Sequence, residues 1–266
     1  VTHHDHEPEI HDRGLAFDMA TMLDRRRVLA LFGAAGLATI AGGAALADGG
    51  TTASAAETAC AGKVPEEIVG PFPSDGTNGP NILTKTGVVR SDIRSSFGGL
   101  SGTAAGVPVR MELTMLKAGT CAPLTGAAVY VWQCDKDGKY SMYASGVLNQ
   151  NYLRGVQAAS STGLVTFTTI FPGAYPGRWP HIHFEVYRTV AEATAAGDPI
   201  ATSQLAFPAA ECTAVYSTAP YASSLPIFRR TSLSQDMVFR DGYSKQMPVL
   251  TGSPSAGYTA KLSISI

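Results

Sequence analysis

The chain has 266 residues with a formal charge of −1, and 15% of its residues are charged. A balance this close to neutral excludes the basic surface that a nucleic-acid partner requires. No basic amphipathic stretch marks a membrane-surface protein either.

The first stretch with a clear signal is Arg25-Arg26-Arg27, followed by an uncharged Gly/Ala/Leu run from Ala30 to Leu46 that closes on Ala45-Leu46-Ala47. A basic region, an apolar run and a small-x-small cleavage site describe an export signal over residues 1–47. Consecutive arginines with a Gly-rich, modestly apolar run favour the twin-arginine route, so the expected location is periplasmic or extracellular. The run approaches membrane-spanning length, but its four glycines weaken it as a retained anchor. No stable membrane contact is therefore expected after cleavage. Residues 48–62 read as an Ala/Thr/Gly-rich linker, and 63–266 as one domain large enough for a substantial core. Beyond residue 47 the charges nearly cancel, sixteen basic against fifteen acidic.

All four cysteines, Cys60, Cys121, Cys134 and Cys212, lie after the cleavage pattern. An even count in an exported chain predicts two disulfides, with three possible pairings.

Turn formers crowd Gly70-Pro71-Phe72-Pro73-Ser74-Asp75-Gly76 and continue to Asn81, which implies a fixed loop over the surface. The pattern then becomes β. Val109, Met111, Leu113 and Met115 alternate with Arg110, Glu112 and Thr114, as on a half-buried strand. Further strands are predicted at 127–133, 164–170, 181–187, 201–207 and 258–266. One short helix-like stretch lies at 191–197. Short strands separated by Gly/Pro turns predict an antiparallel sandwich or barrel, and no dinucleotide or phosphate-binding fingerprint is present.

The chemistry concentrates in Pro172 to Tyr187, which holds Tyr175, Arg178, His181 and His183. On a strand, His181 and His183 share a face roughly 6–7 Å apart, close enough to hold one ion. The other four histidines, His3, His4, His6 and His11, fall within the leader. A three-histidine site is therefore excluded. The remaining ligands must be a carboxylate, such as Glu185, Asp135 or Asp137 in a ferrous oxygenase arrangement, or phenolates, which suit ferric iron. Tyr175 and Tyr140 are placed for the second option.

Gly138-Lys139-Tyr140, Leu153-Arg154-Gly155-Val156-Gln157, Gly163 to Tyr175 and Arg178-Trp179-Pro180-His181-Ile182-His183 together resemble the intradiol ring-cleavage dioxygenases. The ordered likeness runs from Gly70 to Phe207 and is most specific from Tyr140 to His183. It implies an all-β, antiparallel β-sandwich with a prealbumin-like core, long loops and little helix. It also implies a non-haem Fe(III) held by Tyr140, Tyr175, His181 and His183, with Tyr143 a weaker alternative to Tyr140. Tyr175, Arg178 and Gln204 are the implied catalytic residues. The implied reaction splits a catechol-type diol between its hydroxyls with dioxygen, giving a cis,cis-muconate-type diacid. The loop from Tyr175 to Arg178 is shorter than in the aromatic-acid members, and no long helical dimerisation segment is visible. The chain looks like a secreted branch of the family. Two other classes compete: a non-enzymatic prealbumin-like binding module, and a ferrous two-His-one-carboxylate oxygenase using Glu185.

Overall fold

A computed structural model describes residues 62–266. The predicted export signal, nearly all of the linker, and Cys60 lie outside them. Eight strands make two four-stranded sheets: β1 (Pro108–Leu116), β2 (Ala128–Trp132), β3 (Arg154–Ala158), β4 (Leu164–Ile170), β5 (His181–Tyr187), β6 (Ala201–Ala206), β7 (Val249–Ser253) and β8 (Gly257–Ser265). The first sheet runs β4-β1-β8-β7 and the second β3-β2-β5-β6. Among the described residues, helix is confined to α1 (Val190–Thr194), α2 (Ala209–Tyr216), a 3₁₀ turn (Ala219–Tyr221) and α3 (Ser224–Phe228). No helix among the described residues is long and apolar enough to cross a membrane.

The alternation read in β1 is realised in its burial: Val109, Met111, Leu113 and Met115 are buried, while Pro108 and Arg110 face out. These side chains join one core with Val129 and Val131 of β2, Ile182, Phe184 and Val186 of β5, and Leu205 of β6. Each large aliphatic side chain taken from water there contributes about 1.5–3 kcal/mol. β2 and β5 are buried on both faces. Their second face meets a separate cluster in which Tyr130, Trp132 and Tyr140 pack with Val69, Phe72, Ile82, Leu83 and Val88. The Pro/Gly-rich segment thus roofs the outer face of the second sheet, and the functional side chains lie beneath that roof.

Two expectations need correcting. The pairing is not wholly antiparallel, because β1 and β8 run parallel. Parallel neighbours need a long crossover, and nearly the whole domain lies between these two strands. The cysteines do not form two disulfides: Cys121 is disulfide-bonded, but Cys134 and Cys212 are free and buried. Their thiols rest against the Gly173 and Phe207 carbonyls, as small core groups do.

Gly173 is a packing necessity. A Cβ there would meet Lys136 O at 2.4 Å and Asp135 O at 2.7 Å, because its N–H donates to Asp135 O at 2.9 Å. This contact draws the strips carrying Tyr140 and Tyr175 together. Gly173→Ala is expected to cost about 1–3 kcal/mol in urea unfolding, the usual cost of overpacking.

Candidate metal centre

β5 places His181 and His183 on the roofed face, and register sets their neighbours. Trp132 of β2 and Gln204 of β6 both pair with His183. The turn after β2 folds back because the Asp135 carboxylate accepts from the Asp137 and Lys139 N–H groups. This returns Tyr140 beneath the roof, where its ring packs 4.8 Å from Phe72. Tyr175 arrives from the Pro/Gly strip ahead of β5.

The result is a convergence of four donor atoms. The two His Nε2 atoms are 3.0 Å apart. The Tyr140 hydroxyl lies 3.3 Å from His181 Nε2 and 3.2 Å from His183 Nε2. The Tyr175 hydroxyl is 3.1 Å from His181 Nε2 and 3.4 Å from the Tyr140 hydroxyl. Ligands about 2.1 Å from one ion and at right angles around it stand about 3 Å from each other, so this spacing fits a single metal.

Electrostatics agree with that fit. Burial, then the nearby Arg178 guanidinium, pushes the His181 imidazole down to about 3. His183 is held well below its ordinary value by burial and by its neighbours His181 and Arg178. Both rings are therefore neutral, as metal ligation requires. Burial, and then Tyr175, drives the Tyr140 phenol well above its ordinary value, so a cation must supply the field that ionises it. His181 Nδ1–H donates to Trp179 O at 2.5 Å, which turns its Nε2 lone pair toward the cluster. His183 Nδ1 is buried and has no hydrogen-bond partner among the described residues. Its orientation comes instead from Trp132, stacked on it at 4.8 Å with 9° between the rings. At the Cε1 edge of the ring the roof comes close as well: a Cβ at Gly70 would meet His183 Cε1 at 3.0 Å.

The other predicted residues divide clearly. Arg178 and Gln204 are brought together, with Arg178 Nη2 donating to Gln204 Oε1 at 2.6 Å. Gln204 in turn donates to Ile68 O at 3.0 Å. Tyr143 is kept from the cluster, its hydroxyl donating to Asn78 O and accepting from Ser74 N–H. Glu185 shares the histidine face but its carboxylate accepts from Tyr187 at 2.6 Å. Asp135 is occupied by its turn and by Tyr152, and Asp137 by Lys136. Among the described residues no group of three or more His, Cys, Asp or Glu side chains is placed to hold a metal.

Sequence reasoning missed Asp236. Its Oδ2 accepts from Arg178 Nε at 3.0 Å and from Trp179 N–H at 2.6 Å. Its Oδ1 accepts from the N–H groups of Val238 and Phe239. Burial raises its carboxyl, but the Arg178 charge and the backbone donors outweigh that and hold it below its ordinary range. An aspartate just ahead of Met237-Val238-Phe239 has the form of a capping signal, and a buried arginine needs a counter-charge. Those two facts would have pointed to it. Asp236 also lines a cleft of about 420 Å³ with Pro176, Gly177, Trp179 and Arg230, against the loop joining Tyr175 to Arg178.

Residues 79–193 match a family model described as a dioxygenase. An intradiol ring-cleavage dioxygenase from Tetranychus urticae is similar at 29% identity, with a TM-score of 0.55 over 67% of this chain and 86% of that one. A second solved dioxygenase is similar at 27% identity and a TM-score of 0.56, over the same shares of both chains. No curated protein sequence matches this chain.

Proposed function

We propose, from the premise that this chain belongs to the intradiol ring-cleavage dioxygenases, that it splits a catechol-type aromatic diol between its two hydroxyls. Dioxygen is the co-substrate and a cis,cis-muconate-type diacid the product. The observation that carries this reading is the four-donor cluster of Tyr140, Tyr175, His181 and His183, all within 3.0–3.4 Å of their neighbours. Two phenols and two neutral imidazoles suit a hard, highly charged cation, and non-haem Fe(III) is the group we assign to it.

When bound, ferric iron would act as Lewis acid and template for the diol. The chain's own residues supply the rest. Tyr140 is buried and braced by Phe72, so it stays in place. Tyr175 is only partly buried and sits in a Pro/Gly loop, so it is the donor able to leave as substrate arrives. Its phenolate oxygen can then take up a proton from the diol, and no separate histidine base is needed. Arg178, held by Asp236 and Gln204, keeps a fixed cation beside the cluster. There it stabilises negative charge that develops on the ring and on oxygen. The roof from Val69 to Val88 excludes water from this face.

The two-sheet architecture supports a prealbumin-like sandwich as scaffold. Export through the twin-arginine route, with residues 1–47 as signal, 48–62 as linker and 63–266 as catalytic domain, is supported by the sequence features alone. That route carries folded proteins, which would allow metal loading before export.

The deciding experiment is anaerobic titration of the iron-loaded protein with a panel of catechols, followed by dioxygen and product identification. The loaded protein is expected to be red-brown from tyrosinate-to-iron charge transfer and to give ring-opened diacids. A colourless protein with full iron content would refute the tyrosinate assignment. A binding module would retain no metal.

A further inference from the structure

The motif Leu153-Arg154-Gly155 has no part in the chemistry above, yet Arg154 is one of the most buried side chains in the protein, at 0% exposure. Among the described residues no carboxylate pairs with it. Its guanidinium is satisfied by oxygens from two separate strips of chain. On one side Nη1 donates to Phe72 O at 2.9 Å and Pro73 O at 3.1 Å, and lies 3.4 Å from the Tyr130 hydroxyl. On the other, Nη2 donates to Ser141 O at 2.9 Å and Nε to Ser141 Oγ at 3.1 Å.

Each strip bears directly on the donor cluster. Phe72 is the ring against which Tyr140 packs, and Ser141 is the residue after Tyr140. The backbone is bent to make the contact. Leu153, just before the arginine, has φ +58°, and Met142, just after Ser141, has φ +71°. Such left-handed conformations at non-glycine residues cost about 1–3 kcal/mol each and persist where the surroundings impose them. The planar fork of arginine can bridge two strips at once, which the single nitrogen of lysine cannot.

We propose that Arg154 is a positioning residue for the metal centre: its guanidinium clamps the Phe72-Pro73 carbonyls to Ser141 and thereby fixes the Tyr140 hydroxyl among the other donors. The inference rests on the assignment of the four donors as metal ligands, but the clamp itself can be read without metal.

Arg154→Met is the principal variant, examined as the full chain. In metal-free protein, hydrogen–deuterium exchange is expected to rise in segments 72–78 and 139–144 while the sheet core is unchanged. In iron-loaded protein, ferric affinity from chelator competition is expected to fall about 10–100-fold, the usual effect of removing a group that supports a ligand. The charge-transfer band should weaken or move. Arg154→Lys should recover only part of both. The double variant Arg154→Met/Tyr140→Phe should bind iron no worse than Tyr140→Phe alone, since residues acting as one unit are not additive. If Arg154→Met does not fold, Ser141→Ala, which removes one acceptor, carries the same readouts at a smaller amplitude.

Unchanged exchange together with wild-type affinity and band would overturn the proposal, as would full rescue by lysine, which would leave only the charge. If wild-type protein takes up no ferric iron but Arg154→Met still loosens both segments, the ligand assignment fails while the clamp stands.

Discussion

Tyr140→Phe is expected to remove most of the visible charge-transfer band, lower iron retention and slow ring cleavage by a factor of about 100 or more. The substitution deletes one oxygen from a set whose members stand 3.2–3.4 Å from it, and it leaves the buried ring packed on Phe72. Fold stability should therefore change little, and the loss should appear in iron content and colour. Glu185→Ala is the matching control. It strands the Tyr187 hydroxyl that donates to Glu185, a loss of about 1–3 kcal/mol in stability, but it should leave the band intact. The reverse pattern, with colour surviving Tyr140→Phe and iron lost on Glu185→Ala, would return the two-His-one-carboxylate arrangement to favour.

Asp236→Asn should be the most damaging single change outside the donor cluster. Arg178 and Asp236 are buried, with side-chain exposures of 2% and 1%. Breaking such a pair leaves an uncompensated cation and costs about 3–5 kcal/mol. The variant also loses the charge behind the Val238 and Phe239 caps. The folded carboxyl lies below its ordinary value, because the Arg178 charge and the backbone donors outweigh the opposing effect of burial. Its contribution to stability is thus present above the unfolded value near pH 4 and is lost as pH falls through the folded one. Denaturation of both proteins across pH should give a constant difference in the neutral range and a shrinking one under acid. A difference that persists unchanged in strong acid would show that the carboxylate's charge is not what stabilises the pair. Ring cleavage should fall with the variant, mainly in kcat, because Arg178 would no longer be aimed.

Much of the fold was legible because β1, β4 and β5 obey simple rules of alternation and β-branching. β3 was not recognised because Arg154 and Gly155 interrupt its pattern, and Arg154 is buried for its hydrogen bonds rather than its hydrophobicity. β7 is a short, largely exposed strand containing Gly252, and it carries almost no apolar signal. α2 and α3 were passed over in a stretch of Ala, Ser, Thr and Pro, where helix forms by docking Cys212, Val215, Tyr216 and Phe228 into the core. The candidate site divided in the same way. His181 and His183 are two residues apart, so strand geometry alone puts them together. Tyr140 was one candidate phenolate among the residues, and the family likeness singled it out, because only the folded chain brings it to Tyr175. Asp236 carried only a local capping signal, and its partner Arg178, 58 residues away, is reached only through the tertiary fold. The cysteine expectation erred because parity constrains pairing only when every thiol is near another, and Cys134 and Cys212 each occupy an apolar niche.

The parallel pair β1–β8 also bears on when this domain can fold. β8 is not an edge strand: it lies between β1 and β7, and its register with β1 spans Val109↔Tyr258 to Leu116↔Ser265. The first sheet is therefore incomplete at its centre until residues 257–265 have been synthesised, and its core face stays open until then. Pairing of such long sequence separation is slow to form, and exposed strands in the interval are prone to associate. The first sheet thus closes only after β8 has emerged, so that strand acts as the closing piece, and the chain made before it must be kept from aggregating.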